Sequence, residues 1–432
     1  MKNFSIPNRS KQPRLKKIQA PELPEPTKGV LNNGLVYYVF KNKLQDVVKI
    51  DVLFRAGSVY QNKKLVASTT AKMLKEGTKS MTASKIAERL DHFGAYLETS
   101  SNNDRAVLTL FSLKKNVRFL LPLLAATIYE PVFGQQEFHI INTQQKQEFL
   151  VNSLKPKHIT NRVFNELVFG PDNPYGRTAN EADFDALRRD DLIEFHQDFF
   201  LNNKPVVIFS GHVDQTIEKQ FIELFSSHWL TASDKAFPDP PRDQFATGIH
   251  WVDKPGSLQS AFKMGVLTIN RFHADYPALL MLNTVLGGYF GSRLMSNIRE
   301  DKGYTYGINS SLAAYEQACV LSISSEVGRE VTSAALAEVQ HEINKLRTTP
   351  IPEHELSLVR NYLSGNYLRN LEGPLTLADN FRPLIFSALG MNYYKNILNS
   401  FQQLTSEELK TTALKYLDPE KMVTVVTGEK LP

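Results

Sequence analysis

Apolar positions along the chain repeat at two periods, and the switches between them lay out its elements. The Asn33-Gly34 turn signal leads into an alternating run, so a strand is predicted from about Leu35, and a second from Val47 to Arg55. After Ala56-Gly57 the spacing turns helical, with Leu65, Thr69, Met73 and Leu74 forming a stripe that ends at Gly77. A short helix from Ala83 to Phe93 is predicted to stop at Gly94. Strands from Ala95 to Ser101 and Ala106 to Ser112 flank a turn at Asn102-Asn103-Asp104. Helical periods return over Val117 to Ile128, Gln135 to Leu154, His158 to Val168 and Leu192 to Leu201, before the strand-like Pro205 to Ser210.

Thr231 to Thr247, with Pro238, Pro240 and Pro241, reads as an exposed linker, and beyond it the same order of elements recurs. Leu187 to Gly211 lies over Leu404 to Gly428 without gaps. Leu192 meets Leu409, Phe199 meets Tyr416 and Val206 meets Val423, each segment reading helix, turn, strand, Gly. The stretch from His92 (HFGAYLETSS) likewise resembles that from Asp301 (DKGYTYGINSS). Two related halves are therefore expected, with fold class α+β: each a mostly antiparallel sheet packed against helices. The division is an arm over 1–28, a first half over 29–230, the linker over 231–247 and a second half over 248–432.

Composition narrows the function classes. The formal net charge is +5, but Lys2, Arg9, Lys11, Arg14, Lys16, Lys17 and Lys28 face only Glu22 and Glu25 in the first 28 residues, so the arm carries the excess. The balanced remainder argues against nucleic acid. No apolar run approaches the length of a membrane span. The arm has five prolines and no apolar core, which reads as an extended segment and points to the cytoplasm, with the periplasm open. Cys319 stands alone, excluding an intramolecular disulfide.

The richest stretch is Leu286 to Leu312. Gly287, Gly288 and Gly291 read as a loop needing permissive backbone, Ser292 as a helix cap, and Arg293 to Lys302 as a helix stopped by Gly303. A strand is expected next, with Tyr304, Tyr306 and Ile308 on one face, so that Arg299 and Tyr306 point into one space. This Gly-rich loop, S-R-L and R-x-x-x-G-x-x-Y resembles the second domain of the insulinase/pitrilysin zinc peptidases, and the resemblance extends from about residue 29 to the end. It implies that Arg299 and Tyr306 reach a substrate carbonyl, that Gly287, Gly288 and Gly291 line the substrate path, and that Gly94 to Ser101, with Leu97 and Thr99, is an edge strand receiving an extended peptide.

Active members carry H-x-x-E-H on the helix after the second strand, because two His at i and i+4 share one face and bind one zinc. Counting back from Gly77-Thr78, those positions here are Ser68, Ala71 and Lys72, none of which serves. No two of the ten histidines lie three to five residues apart, so no other helix offers such a pair. The family's third ligand maps to Glu148, either a solvated helix-face residue or an ion-pair partner for Lys72. The expectation is a chain with no cofactor of its own, inactive alone. A paralogous subunit would hold the zinc, and this chain would supply Arg299 and Tyr306 in trans to an extended peptide. A peptide-binding or structural scaffold is the alternative.

Overall fold

The computed structural model describes residues 21–229, 243–387 and 389–430. Most of the basic arm and of the proline-rich linker lies outside them. Asn33-Gly34 does make a turn, Gly34 at φ +80°, but it closes a hairpin whose first strand sequence reading missed: Thr27–Val30 (β1) pairs antiparallel with Val36–Lys41 (β2). Strand formation thus begins inside the expected arm.

The first half continues through Val47–Phe54 (β3), Val66–Met73 (α1), Ala83–His92 (α2), Tyr96–Ser101 (β4), Ala106–Leu113 (β5), Lys114–Tyr129 (α3), Gln135–Ser153 (α4) and Pro156–Phe169 (α5). Glu181–Ala186 (α6), Arg189–His196 (α7), Val206–Gly211 (β6) and Gln215–Phe225 (α8) close it. The second half runs Gly248–Asp253 (β7), Gln259–Thr268 (β8), Tyr276–Asn283 (α9), Ile308–Ala314 (β9), Cys319–Gly328 (β10), Thr332–Thr348 (α10) and Glu353–Asn370 (α11). Pro374–Phe381 (α12), Asn392–Gln403 (α13), Ser406–Tyr416 (α14) and Val423–Gly428 (β11) end it.

The two sheets have one topology. The first is ordered β1-β2-β6-β3-β5-β4 and the second β7-β11-β8-β10-β9. Without β1 the orders superimpose, and each has one parallel pair, β2 with β6 and β7 with β11. Alternation in the strands decides what each face buries. Val48, Ile50 and Val52 of β3 face their own half's helices, as do Phe262 and Met264 of β8.

The opposite faces are covered by helices exchanged between halves. From the first half, α5 lies on β8 and β11, where Thr160 Oγ1 donates to Thr427 Oγ1 at 2.8 Å. Gly265 makes room for it, since a Cβ there would sit 2.8 Å from the Phe164 ring. From the second half, α12 lies on β2 and β6, Phe381 meeting Tyr38 and Phe40 at centroid separations of 4.8 and 5.5 Å. Just beyond α12, Arg382 pairs with the fully buried Asp51 at 2.8 Å, and Thr109 donates to the same carboxylate at 2.6 Å. Each core is completed by residues of the other half.

The halves also meet where the β4–β5 and β9–β10 hairpins touch. Arg105 pairs with Glu316, the Glu316 backbone N–H donates to Asp104 at 3.2 Å, and the Tyr175 hydroxyl donates to Asp104 at 2.6 Å. Burial pushes the Glu316 carboxyl up to about 7; Arg105 and Arg55 oppose that rise and Asp104 adds to it. Between its ordinary value near 4.5 and about 7, the folded chain holds a proton that the unfolded chain releases. The contribution to stability is therefore full below about 4.5 and lost as pH rises through 7. Glu316→Gln removes this loss, so its melting temperature relative to the wild type is expected to rise between pH 5 and pH 8. An offset that does not change across that range would contradict the assignment.

Candidate functional site

On α1, the helix that follows β3, the three positions that correspond to metal ligands are not available for one. Ser68 donates its hydroxyl to the Leu65 carbonyl at 3.1 Å, Ala71 is buried, and Lys72 is exposed. A hydroxyl spent on its own helix, a methyl group and an ammonium do not make a cation site. Among the described residues, no group of three His, Cys, Asp or Glu is placed to hold a metal ion.

Helix α4 does pack on α1, but the contact runs through Gln145, whose amide donates to Thr69 at 3.2 Å. Glu148 and Lys72 are both exposed and do not pair with each other, which corrects the pairing considered from sequence. The reason is energetic: two solvated side chains gain at most about 1 kcal/mol from meeting and lose rotamer freedom.

Strand β4 lies at the end of its sheet and pairs only with β5, so among the described residues its outer edge is unpaired. Leu97 is buried in the core, and Thr99, two residues on, shares that face of the strand. What the strand presents to an incoming chain is therefore backbone, with the exposed Tyr96, Glu98 and Ser100 on the other face.

The glycine-rich stretch differs in detail from its sequence reading. Gly287 and Gly288 end a π-helical turn, Thr284–Gly288, that continues α9, and Gly287, Gly288 and Gly291 all have negative φ. Space, not backbone freedom, favours glycine at 287 and 291: a Cβ on Gly287 would lie 2.6 Å from the Ser310 amide nitrogen, and one on Gly291 2.9 Å from the Tyr289 ring. Ser292 does not act as the expected cap, since its buried hydroxyl has no hydrogen-bond partner among the described residues. The expected helix from Arg293 is mostly a second π-helical segment, Met295–Asp301, with the Lys302 amide donating to the Asn297 carbonyl at 2.9 Å. Extra-residue turns of this kind recur at functional sites. Gly303 does end it in the left-handed region, φ +65°.

The strand beyond starts at Ile308, later than predicted. Thr305 holds Tyr304 to Gly307 in a turn, accepting from the Gly307 amide at 3.0 Å and donating to the Glu326 carbonyl at 2.7 Å. Tyr306, at the apex, is 95% exposed. Arg299 stacks its guanidinium 4.8 Å from the centroid of the Phe290 ring and pairs with no carboxylate among the described residues. Among the described residues no hydrogen bond or ring contact joins Arg299 to Tyr306, so they are two separate donors on neighbouring turns. A guanidinium and a phenol left without acidic partners are able to stabilise negative charge brought by a ligand.

Sequence reading missed a cleft of about 200 Å³ beside Tyr306, with Lys263, Asn161, Asn309, Ser324 and Lys157 in its walls. The available signal was a lysine within the otherwise apolar run Ala261 to Leu267.

Residues 37–169 match the family model described as insulinase (peptidase family M16), and residues 186–363 the model described as peptidase M16 inactive domain. The chain is 22% identical over 343 residues to the uncharacterized zinc protease YmxG of Bacillus subtilis, covering 79% of this chain and 83% of that one. It is 23% identical over 392 residues to the non-peptidase homolog YmxG of Helicobacter pylori, covering 88% of each. In fold it is similar to a peptidase M16 inactive domain from Pseudomonas fluorescens (TM-score 0.86, 23% identity, 94% and 98% covered). A protease from Helicobacter pylori is similar too (TM-score 0.82, 21% identity, 94% and 100% covered).

Proposed function

The chain belongs to the insulinase family, peptidase family M16, and from that premise we infer that it is the non-metal subunit of a two-chain peptidase. The observation that carries the reading is an asymmetry. The α1 positions that would bind zinc are Ser68, Ala71 and Lys72, while among the described residues Arg299 and Tyr306 have no acidic partner and β4 has an open edge. In this reading a paralogous partner holds the zinc, which would supply the hydrolytic water. An extended peptide adds to the β4 edge by backbone pairing, and Arg299 and Tyr306 donate to the oxygen of the scissile carbonyl as charge grows on it.

The name of the Helicobacter pylori relative, a non-peptidase homolog, fits a chain that does not cut alone. A scaffold that holds peptide without contributing to chemistry is the second reading, favoured by the absence of contact between Arg299 and Tyr306. Cleavage assays with this chain, a zinc-motif paralogue and their mixture separate the two: acceleration on mixing supports the donor role. Copurification of the pair without acceleration supports the scaffold.

A further inference from the structure

The face covered by the exchanged helix carries Lys49 and Asp51 on β3 and Lys263 on β8, and the two sheets do not treat these charges alike. On β3, Asp51 receives Arg382 from the segment following α12. On β8, Lys263 receives from α5 only an amide: its Nζ donates to Asn161 Oδ1 at 3.0 Å and lies 4.7 Å from the centroid of the Phe164 ring. No carboxylate comes within ion-pair range of Lys263 among the described residues. Burial alone holds its amino group below the usual lysine range, as expected for an ammonium removed from water without a counter-ion.

Lys263 lines the same cleft as Tyr306. In register, Lys263 faces Ser324, which faces Asn309, so the three form one row across β8, β10 and β9. Lys157 and Glu326, both exposed, also line the cleft, leaving an excess of positive charge with Lys263. An ammonium has three donors, and one amide oxygen does not satisfy them. The volume, about 200 Å³, suits one small side chain or a chain end and not a folded partner.

We propose that this cleft is a carboxylate subsite, in which Lys263 receives an acidic side chain or the free C-terminus of a peptide lying across Tyr306. The proposal rests on the peptide-binding part of the function inferred above. It makes Lys263 a specificity-determining residue: peptide running past the exposed phenol drops its carboxylate into the space where β8 lacks the counter-ion that β3 has.

The test uses the full chain and fluorescence anisotropy with four versions of one extended peptide, carrying an internal Glu or Gln and a free or amidated C-terminus. A charge-assisted bond to a partly buried ammonium is expected to tighten binding about tenfold or more over the amidated Gln peptide. A gain from the internal Glu identifies a side-chain subsite, and a gain from the free terminus a chain-end subsite. Lys263→Met should erase the preference while leaving the affinity for the amidated Gln peptide, and Lys157→Ala, at an exposed position, should weaken it partially without touching the fold. Equal binding of all four peptides overturns the subsite and leaves peptide binding standing. Should no peptide bind, the peptide-binding reading falls, and glutarate decides the subsite. Thermal stabilisation of the wild type by glutarate, but not of Lys263→Met, upholds it as an anion site; no stabilisation overturns it.

Discussion

In the reconstituted pair, Arg299→Ala or Tyr306→Phe is expected to lower kcat by roughly ten- to a thousandfold, the scale of a lost oxyanion donor. Assembly should be unaffected. Tyr306 is 95% exposed and its hydroxyl has no partner among the described residues, so removing the hydroxyl leaves no buried group unsatisfied. Arg299 gives up a cation–π contact with Phe290, worth about 1 kcal/mol or less at a part-exposed site. A large kinetic effect beside a negligible change in melting temperature is the signature of donors that act on substrate. Mutants that assemble and cleave at the wild-type rate would make both residues remnants of ancestry.

Arg382→Met is expected to cost the fold about 2 kcal/mol, read as a lower denaturant midpoint, because it removes the nearest counter-ion of a buried carboxylate and leaves the more distant Lys49 to balance it. Asp51 is 0% exposed and would keep only Thr109 at 2.6 Å and Lys49 at 3.6 Å. The methionine fills much of the arginine stem's volume, which isolates the electrostatic part. Asp51→Asn together with Arg382→Met should recover most of the loss, since removing both charges abolishes the desolvation penalty. A loss below about 1 kcal/mol, or a double variant no better than the single one, would show that this pair does not tie α12 to the first sheet.

How far the sequence carried this account depends on the range of the forces involved. Strands β3, β4 and β5 and helices α1 to α5 announce themselves by period, because each needs one apolar face whatever covers it. The repeat of helix, turn, strand and Gly at Leu187 and Leu404 correctly implied two related halves, and the equal strand orders of the two sheets bear this out. The exchange of α5 and α12 was illegible, since an apolar stripe does not name its partner. The π-helical turns at Thr284–Gly288 and Met295–Asp301 were illegible for another reason: one extra residue per turn hardly disturbs the apolar pattern. Tyr306 was placed in the strand instead of the turn before it, because alternation continues through a turn that Thr305 closes with side-chain hydrogen bonds. The identities of Ser68, Ala71 and Lys72 needed no structure, only the spacing of residues before Gly77. The geometry of Lys72 and Glu148 did need it, because both meet water first.

The central claim is that the chain contributes to peptide hydrolysis without holding the metal. It is tested most directly by measuring peptide cleavage and metal content for this chain alone, for a zinc-motif paralogue alone, and for the two mixed. The account predicts no cleavage and no stoichiometric zinc for this chain alone, zinc in the paralogue, and turnover in the mixture well above either component. Cleavage by this chain alone with about one zinc bound, or a paralogue whose rate is unchanged by adding it, would contradict the account.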